Sequence, residues 1–193
     1  MGEKSVRKKE FILEKSKEVF CLKGFKNVTM KDIVEACDIS RGGLYLYFES
    51  TAQILDEILK AESKENNEEF MKNIAEDSTA ADILLLFLQE LKKEMLEPKG
   101  NLSKAIYEYY SDVKVPKKEN LLKRRFDENA KVIQKLIEIG TEEGDFYCEM
   151  PKEASIGIMY QMEGMKITAL TVGITDEAVD RQIFSILKSL GIE

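Results

Sequence analysis

Few of the residue types that carry out acid–base, nucleophilic or metal chemistry occur in this sequence in a working combination. Histidine is absent, which removes the commonest general base and the commonest transition-metal ligand. The cysteines Cys21, Cys37 and Cys148 are odd in number and fit no zinc-binding spacing. Reduced, buried thiols are expected; the alternative is a redox-responsive Cys148, beside Tyr147 and Glu149 in a turn. No Gly-rich phosphate loop and no Gly-x-Ser-x-Gly elbow is present. Carboxylates are plentiful but interspersed with Lys and Arg, as on solvated helix faces. The expectation is no catalytic residue, no metal and no cofactor, and a small helical enzyme is the weaker reading. The chemistry on offer suits a polyanion instead. Residues 29–48 contain Thr29, Ser40, Arg41, Tyr45 and Tyr47, which can donate to phosphate, and Arg41 can pair bidentately with a guanine edge. The net charge of −7 is unevenly spread. The first 50 residues hold 10 Lys and Arg against 8 Asp and Glu, and the remainder 19 against 28. The basic excess gathers at Lys4, Arg7, Lys8 and Lys9, and a local patch is what phosphate contact requires.

The elements that would position these residues are helical throughout. Pro98, Pro116 and Pro151 all fall between apolar-periodic segments and never inside one, as helices require of proline. A first helix is expected over 5–22, with Ile12, Val19 and Phe20 on one face, flanked by Phe11 and Leu13 and stopped by Gly24. Thr29 caps a short helix carrying Ile33, Val34, Ala36 and Cys37; Asp38 and Ile39 make a turn; Ser40 caps a third helix to about Leu46. Two short helices around a tight turn cannot bury a core alone, and Ile12, Val19, Phe20 and Phe25 supply the roof. That is the layout of a helix-turn-helix, whose second helix presents its N-terminal residues to the major groove. Ser50 or Thr51 caps a long fourth helix through Ile54, Leu55, Ile58 and Leu59, polar over 62–69 and apolar again at Phe70 and Ile74. Further helices are expected over 79–96, 102–112, 117–143, 152–172 and 176–190, about nine in all.

On these residues the sequence resembles the tetracycline-repressor-like (TetR) family of transcription regulators. The likeness runs from Ile12 to Leu55 without a gap. It lies in Ile12-Leu13, Val19-Phe20, Gly24-Phe25, Thr29, Asp32-Ile33, Glu35-Ala36, Ile39-Ser40 and the run Leu44 to Phe48. The sequence departs from the family where Asp38 replaces a turn glycine, Gly43 a threonine, Thr51 a phosphate-contacting lysine, and Lys15 and Ser16 small alanines. Aspartate tolerates the left-handed region better than most residues, so the turn can survive. The resemblance implies that Thr29 and Tyr45 meet phosphate and that Tyr47 reaches phosphate or a base. The expected DNA-binding set is Thr29, Lys31, Ser40, Arg41, Gly42, Gly43, Tyr45, Tyr47 and Thr51. Two glycines opening a helix each cost about 1 kcal/mol against alanine. They either let the backbone approach DNA closely or mark a frayed first turn.

The remainder has less signature. Gly140 to Phe146 resembles the loop that ends a long helix in this family. Gly157, Gln161, Gly164, Thr168 and Thr171 form a small-residue face at heptad spacing, and the family dimerises through its last two helices. The dimer set is therefore Gly157, Gln161, Gly164, Thr168, Ile183 and Leu187; packing within the chain is the alternative. An apolar effector pocket is expected among Phe87, Tyr107, Tyr110, Phe126, Met159, Tyr160, Met162 and Glu163, with ordinary core as the alternative. An inward Glu163 would favour a cationic ligand. The expected fold class is all-α, with a helix-turn-helix domain over residues 1–50 joined to a larger helical ligand-binding and dimerisation domain over 51–193. The expected function is a ligand-responsive DNA-binding regulator, more a repressor than an activator. It would bind a palindromic operator as a homodimer and be released by a small apolar or cationic effector. The alternatives are an activator of the same family, a helix-turn-helix protein without effector, and a protein that packages nucleic acid or contacts only proteins. No run approaches the 18 apolar residues of a membrane span and the start lacks a signal-peptide core, so the expected location is the cytoplasm.

Overall fold

The computed structural model describes residues 3–72, 78–96, 102–116 and 119–192. Met1, Gly2, Ile74, Pro98, Lys117 and the side chain of Phe70 lie outside the described residues. Among the described residues the regular structure is entirely helical, as expected. It comprises α1 (Glu3–Lys23), α2 (Met30–Cys37), α3 (Arg41–Tyr45), α4 (Thr51–Lys72), α5 (Ala80–Leu96), α6 (Ser103–Asp112), α7 (Leu121–Glu143), α8 (Pro151–Thr171) and α9 (Asp176–Ser189).

The helix ends follow local chemistry. Gly24 closes α1 in the left-handed region at φ 76°, its N–H donating to the Phe20 carbonyl at 2.8 Å. The helix after Pro116 starts at Leu121, later than the expected 117. The N–H groups of Glu119 and Asn120 turn back to the Pro116 carbonyl at 2.8 and 3.1 Å. The Tyr110 hydroxyl then accepts the Leu121 N–H at 3.0 Å, satisfying one orphan donor of the new helix. Pro151 opens α8, where its missing N–H costs nothing.

Packing divides the chain into two units, Met1–Asn66 with Pro98–Leu122, and Asn67–Glu97 with Lys123–Glu193. The first unit buries Ile12 and Phe20 of α1, Ile33 of α2, Leu44, Phe48, and Ile54 and Leu55 of α4 completely. Each such side chain contributes about 1.5–3 kcal/mol relative to exposure. The roof expected from α1 is present, but it does not complete the core over the two short helices. The first unit also takes in α6, whose Leu102, Ala105, Ile106 and Tyr109 stripe is buried in the same core. Phe25 lies between Phe20 and Tyr109, with ring centroids 6.3 and 5.0 Å away. Packing therefore does not divide at residue 50. The second unit has its own core of Leu84 and Leu88 (α5), Ile133 and Ile137 (α7), Met159 and Met162 (α8), and Val179, Ile183 and Ile186 (α9).

Candidate nucleic-acid interface

The interface is built from caps and a buried base. Thr29 caps α2 in a reciprocal box: the Asp32 N–H donates to Thr29 Oγ1 at 3.3 Å, and the Thr29 N–H donates to the Asp32 carboxylate at 2.7 Å. Lys23 reaches the same carboxylate at 2.6 Å. Hydrogen bonds from Lys23, then from the Thr29 side chain and backbone, hold the Asp32 carboxyl far below the usual carboxylate range. The turn after α2 passes through Asp38 at φ 49°, ψ 48°, the left-handed conformation that aspartate tolerates. Ser40 caps α3 by accepting the Gly43 N–H at 3.0 Å. Leu44 and Phe48, four residues apart, are fully buried, so the other side of this segment must face outward.

That outward side carries Ser40, Arg41, Gly42, Tyr45 and Leu46, all exposed. The Arg41 guanidinium lies 5.5 Å from the Tyr45 ring centroid, a cation–π contact that orders a long side chain before any ligand arrives. Gly43 is half-buried; a Cβ there would lie 3.1 Å from Ser40 Oγ and 3.9 Å from Lys8 Nζ, so Lys8 reaches the start of α3. Tyr47 points elsewhere than Tyr45: it is half-buried, and its hydroxyl accepts from Ser5 Oγ at 3.4 Å. Thr29 and Lys31 are exposed at the start of α2, Lys31 only loosely paired with Glu35 at 3.7 Å. Thr51 is the first residue of α4 and half-buried, and Ser50 is the cap, accepting the Gln53 N–H at 3.2 Å. Lys9, counted with the basic patch, is committed to Glu57 and to the face of Phe48. Sequence reasoning left Leu46 out of the site, yet it is 82% exposed. The signal was its phase, two residues from both Leu44 and Phe48. Cys37 is buried, and burial pushes its thiol up, so it is a packing residue and not a nucleophile.

The residues expected to line a pocket fall in both packing units. Of the eight assigned to a pocket, Tyr107 and Tyr110 belong to the first packing unit, while Phe87, Phe126, Met159, Tyr160, Met162 and Glu163 belong to the second. Met159 and Met162 are fully buried core. Tyr160 is 68% exposed, its ring 5.3 Å from that of Phe126. Glu163 is half-buried and paired with Lys166 at 3.6 Å, so it offers no free carboxylate to a cation. Of the six assigned to a dimer face, Gly157 and Gly164 are exposed, with open space where a side chain would stand. Gln161 donates to Gln182 across to α9 at 2.9 Å, and Thr168 donates to the Gly164 carbonyl at 2.9 Å. Ile183 is a correction: it is buried in its own chain with Val179, Ile186 and Leu190, and Leu187 is packed against that core. The exposed large apolar residue of α9 is Phe184, at 58%.

Comparison with known proteins agrees with this geometry. Residues 12–58 match the model of the bacterial regulatory proteins, tetR family. Residues 83–180 match that of the tetracyclin repressor-like C-terminal domain. An uncharacterized HTH-type transcriptional regulator, YfiR of Bacillus subtilis, is 32% identical over 72% of this chain and 68% of its own length. A TetR transcription regulator from Haloarcula marismortui has the same fold, with a TM-score of 0.81 at 18% identity, over 96% of this chain and 97% of that one. So does AibR, solved with isovaleryl coenzyme A and operator DNA, at a TM-score of 0.70 and 15% identity over 92% and 97% of the two chains. With residues 12–58 matching the family's helix-turn-helix region and residues 83–180 its C-terminal domain, the chain belongs to the TetR family of DNA-binding transcriptional regulators and is not an enzyme.

Proposed function

We propose that the protein is a homodimeric repressor that binds a palindromic operator through α3 and releases it when a small molecule binds the helical part of the chain. The observation that carries the DNA-binding half is the exposed strip Arg41, Gly42, Tyr45, Leu46 standing on the buried Leu44 and Phe48. Arg41 reads a base edge, Gly42 and Gly43 admit the phosphodiester backbone, and Tyr45, Thr29, Lys31, Ser40, Tyr47 and Thr51 hold phosphates. The dimer half is supported by the uncovered side of α8 and α9. There Gly157 and Gly164 leave room for a close helix, and Tyr160, Ile167, Leu170, Val172 and Phe184 are exposed apolar side chains. A dimer places two recognition helices one or more DNA turns apart, which a palindrome mirrors. An effector that prefers another separation shifts the population away from the binding-competent form. AibR, of the same fold, has been seen with both an acyl coenzyme A and operator DNA.

The test is selection of bound sequences from a random duplex library. The expected product is an inverted repeat. Arg41→Ala should relax one position of each half-site by about 1–3 kcal/mol, and Tyr45→Ala should weaken all sequences alike. A selection that returns no shared sequence refutes the proposal.

A further inference from the structure

Four charged side chains from three helices meet inside the second packing unit: Glu94 on α5, Arg125 on α7, and Glu163 and Lys166 on α8. The side chains of Glu94, Arg125 and Glu163 are 28%, 26% and 23% exposed, and that of Lys166 only 9%. Taking ions out of water is costly, and well-packed apolar residues commonly hold helices together as well or better. The quartet is therefore a poor device for stability alone.

Its geometry is unequal. Arg125 Nη2 donates to both Glu94 oxygens, at 3.1 and 3.2 Å. Lys166 Nζ stands 3.5 Å from Glu94 and 3.6 Å from Glu163, longer than the roughly 2.7–2.9 Å of a tight charge-assisted bond. The most deeply buried charge is thus the less tightly held cation. Burial pushes the Glu94 carboxyl up, but Lys166 and Arg125 outweigh it and leave Glu94 below the usual range. Glu94 is thereby an anion at neutral pH, and it has access to solvent. Exchange is easier on one side than on the other. The Glu94 and Glu163 side chains are 28% and 23% exposed and so lie nearer to water than that of Lys166, which is 9% exposed. The incoming group that fits is therefore another anion. Buried Leu91 and Met95 neighbour Glu94 on α5, and buried Met162 and Met165 neighbour Lys166 on α8. Methionine adapts its shape to an apolar ligand more readily than branched residues do.

We propose that the effector is an amphipathic anion, a carboxylate on an apolar chain, whose head takes the place of Glu94 between Arg125 and Lys166. This rests on the effector reading above and names the ligand class. It also replaces the cationic ligand that an unpaired Glu163 would have favoured.

The probes are decanoate, decyltrimethylammonium and decanol, each below its micellar concentration, titrated into the full-length protein by calorimetry and into its operator complex by fluorescence anisotropy. Decanoate should bind about tenfold or more tighter than either chain-matched control. Lys166→Met should weaken decanoate by at least about tenfold, the scale of one lost buried charge contact. Glu94→Gln should tighten decanoate binding, because the internal competitor is gone; a merely structural cluster would give no such gain. Should Lys166→Met fail to fold, Arg125→Lys keeps the charge without the fork and should weaken decanoate in the same direction. Equal binding of the three probes, binding of none, or a decanoate affinity indifferent to these substitutions overturns the proposal. Decanoate binding in the expected pattern without loss of operator affinity would keep the anion site and refute the effector reading. Release of the operator by decyltrimethylammonium or decanol instead would do the reverse.

Discussion

Gly42 isolates the question that α3 poses at the scale of a residue. It is exposed, no atom lies within 4 Å of where its Cβ would stand, and its backbone is not left-handed. Neither packing nor conformation requires glycine there. Gly42→Ala should therefore raise folding stability by about 0.5–1 kcal/mol while weakening operator binding, because the added methyl stands between backbone and DNA. Thermal melts and operator titrations on the same protein check this; a gain in stability with unchanged affinity would mark a frayed turn instead. Asp32 poses a different question. Its folded carboxyl is held below its ordinary value of 3.8, so the stability it contributes is complete above that value and is lost as the pH falls through the folded one. Asp32→Asn should cost about 1 kcal/mol at neutral pH, measured by denaturant unfolding. The gap from wild type should close in strong acid, and a gap that persists there would show that charge is not the cause.

Single elements depend on close approaches that leave no room for a side chain. Gly140 near the end of α7 has the Phe146 ring against it: a Cβ would come within 2.5 Å of that ring. The N–H groups of Asp145 and Phe146 return to the Gly140 carbonyl at 2.8 and 2.9 Å. Gly140→Ala should lower stability by about 1–3 kcal/mol through overpacking, and Phe146→Leu in the same chain should recover part of it; additive losses in thermal melts would mean the two do not touch. Much of this level was legible in the sequence because it is local. Thr29, Ser40 and Gly24 signal their helix ends within a few residues, and Asp38 could be read as a left-handed turn residue. Partners were less legible. A 3.6-residue stripe shows that α9 has an apolar face but not which neighbour covers it, so Ile183 was assigned outward and Phe184 was passed over. Tyr107 and Tyr110 were grouped with residues of the second unit because helix faces alone do not reveal that α6 joins the core of the first. The quartet of Glu94, Arg125, Glu163 and Lys166 was invisible for the same reason: Glu94, Arg125 and Lys166 are ordinary charged helix residues in sequence, and their meeting with Glu163, with Lys166 buried, exists only in three dimensions.

The whole molecule carries its charge and its apolar surface in different places, and each makes a claim. The exposed side of α8 and α9 should be the dimer contact. Gly157→Leu with Gly164→Leu should shift the solution mass toward the monomer by light scattering and weaken operator binding; a double variant that stays dimeric with unchanged affinity would place the contact elsewhere. The basic excess lies in the first 50 residues of a chain whose net charge is −7, so binding should be local, salt-sensitive and dependent on base edges. The direct test is an anisotropy titration of the wild-type protein on its selected palindrome and on a scrambled duplex of equal length, repeated across moderate salt. A specific regulator should prefer the palindrome by about a thousandfold or more, with both affinities falling as salt rises. Equal binding to the two duplexes at moderate salt would contradict it.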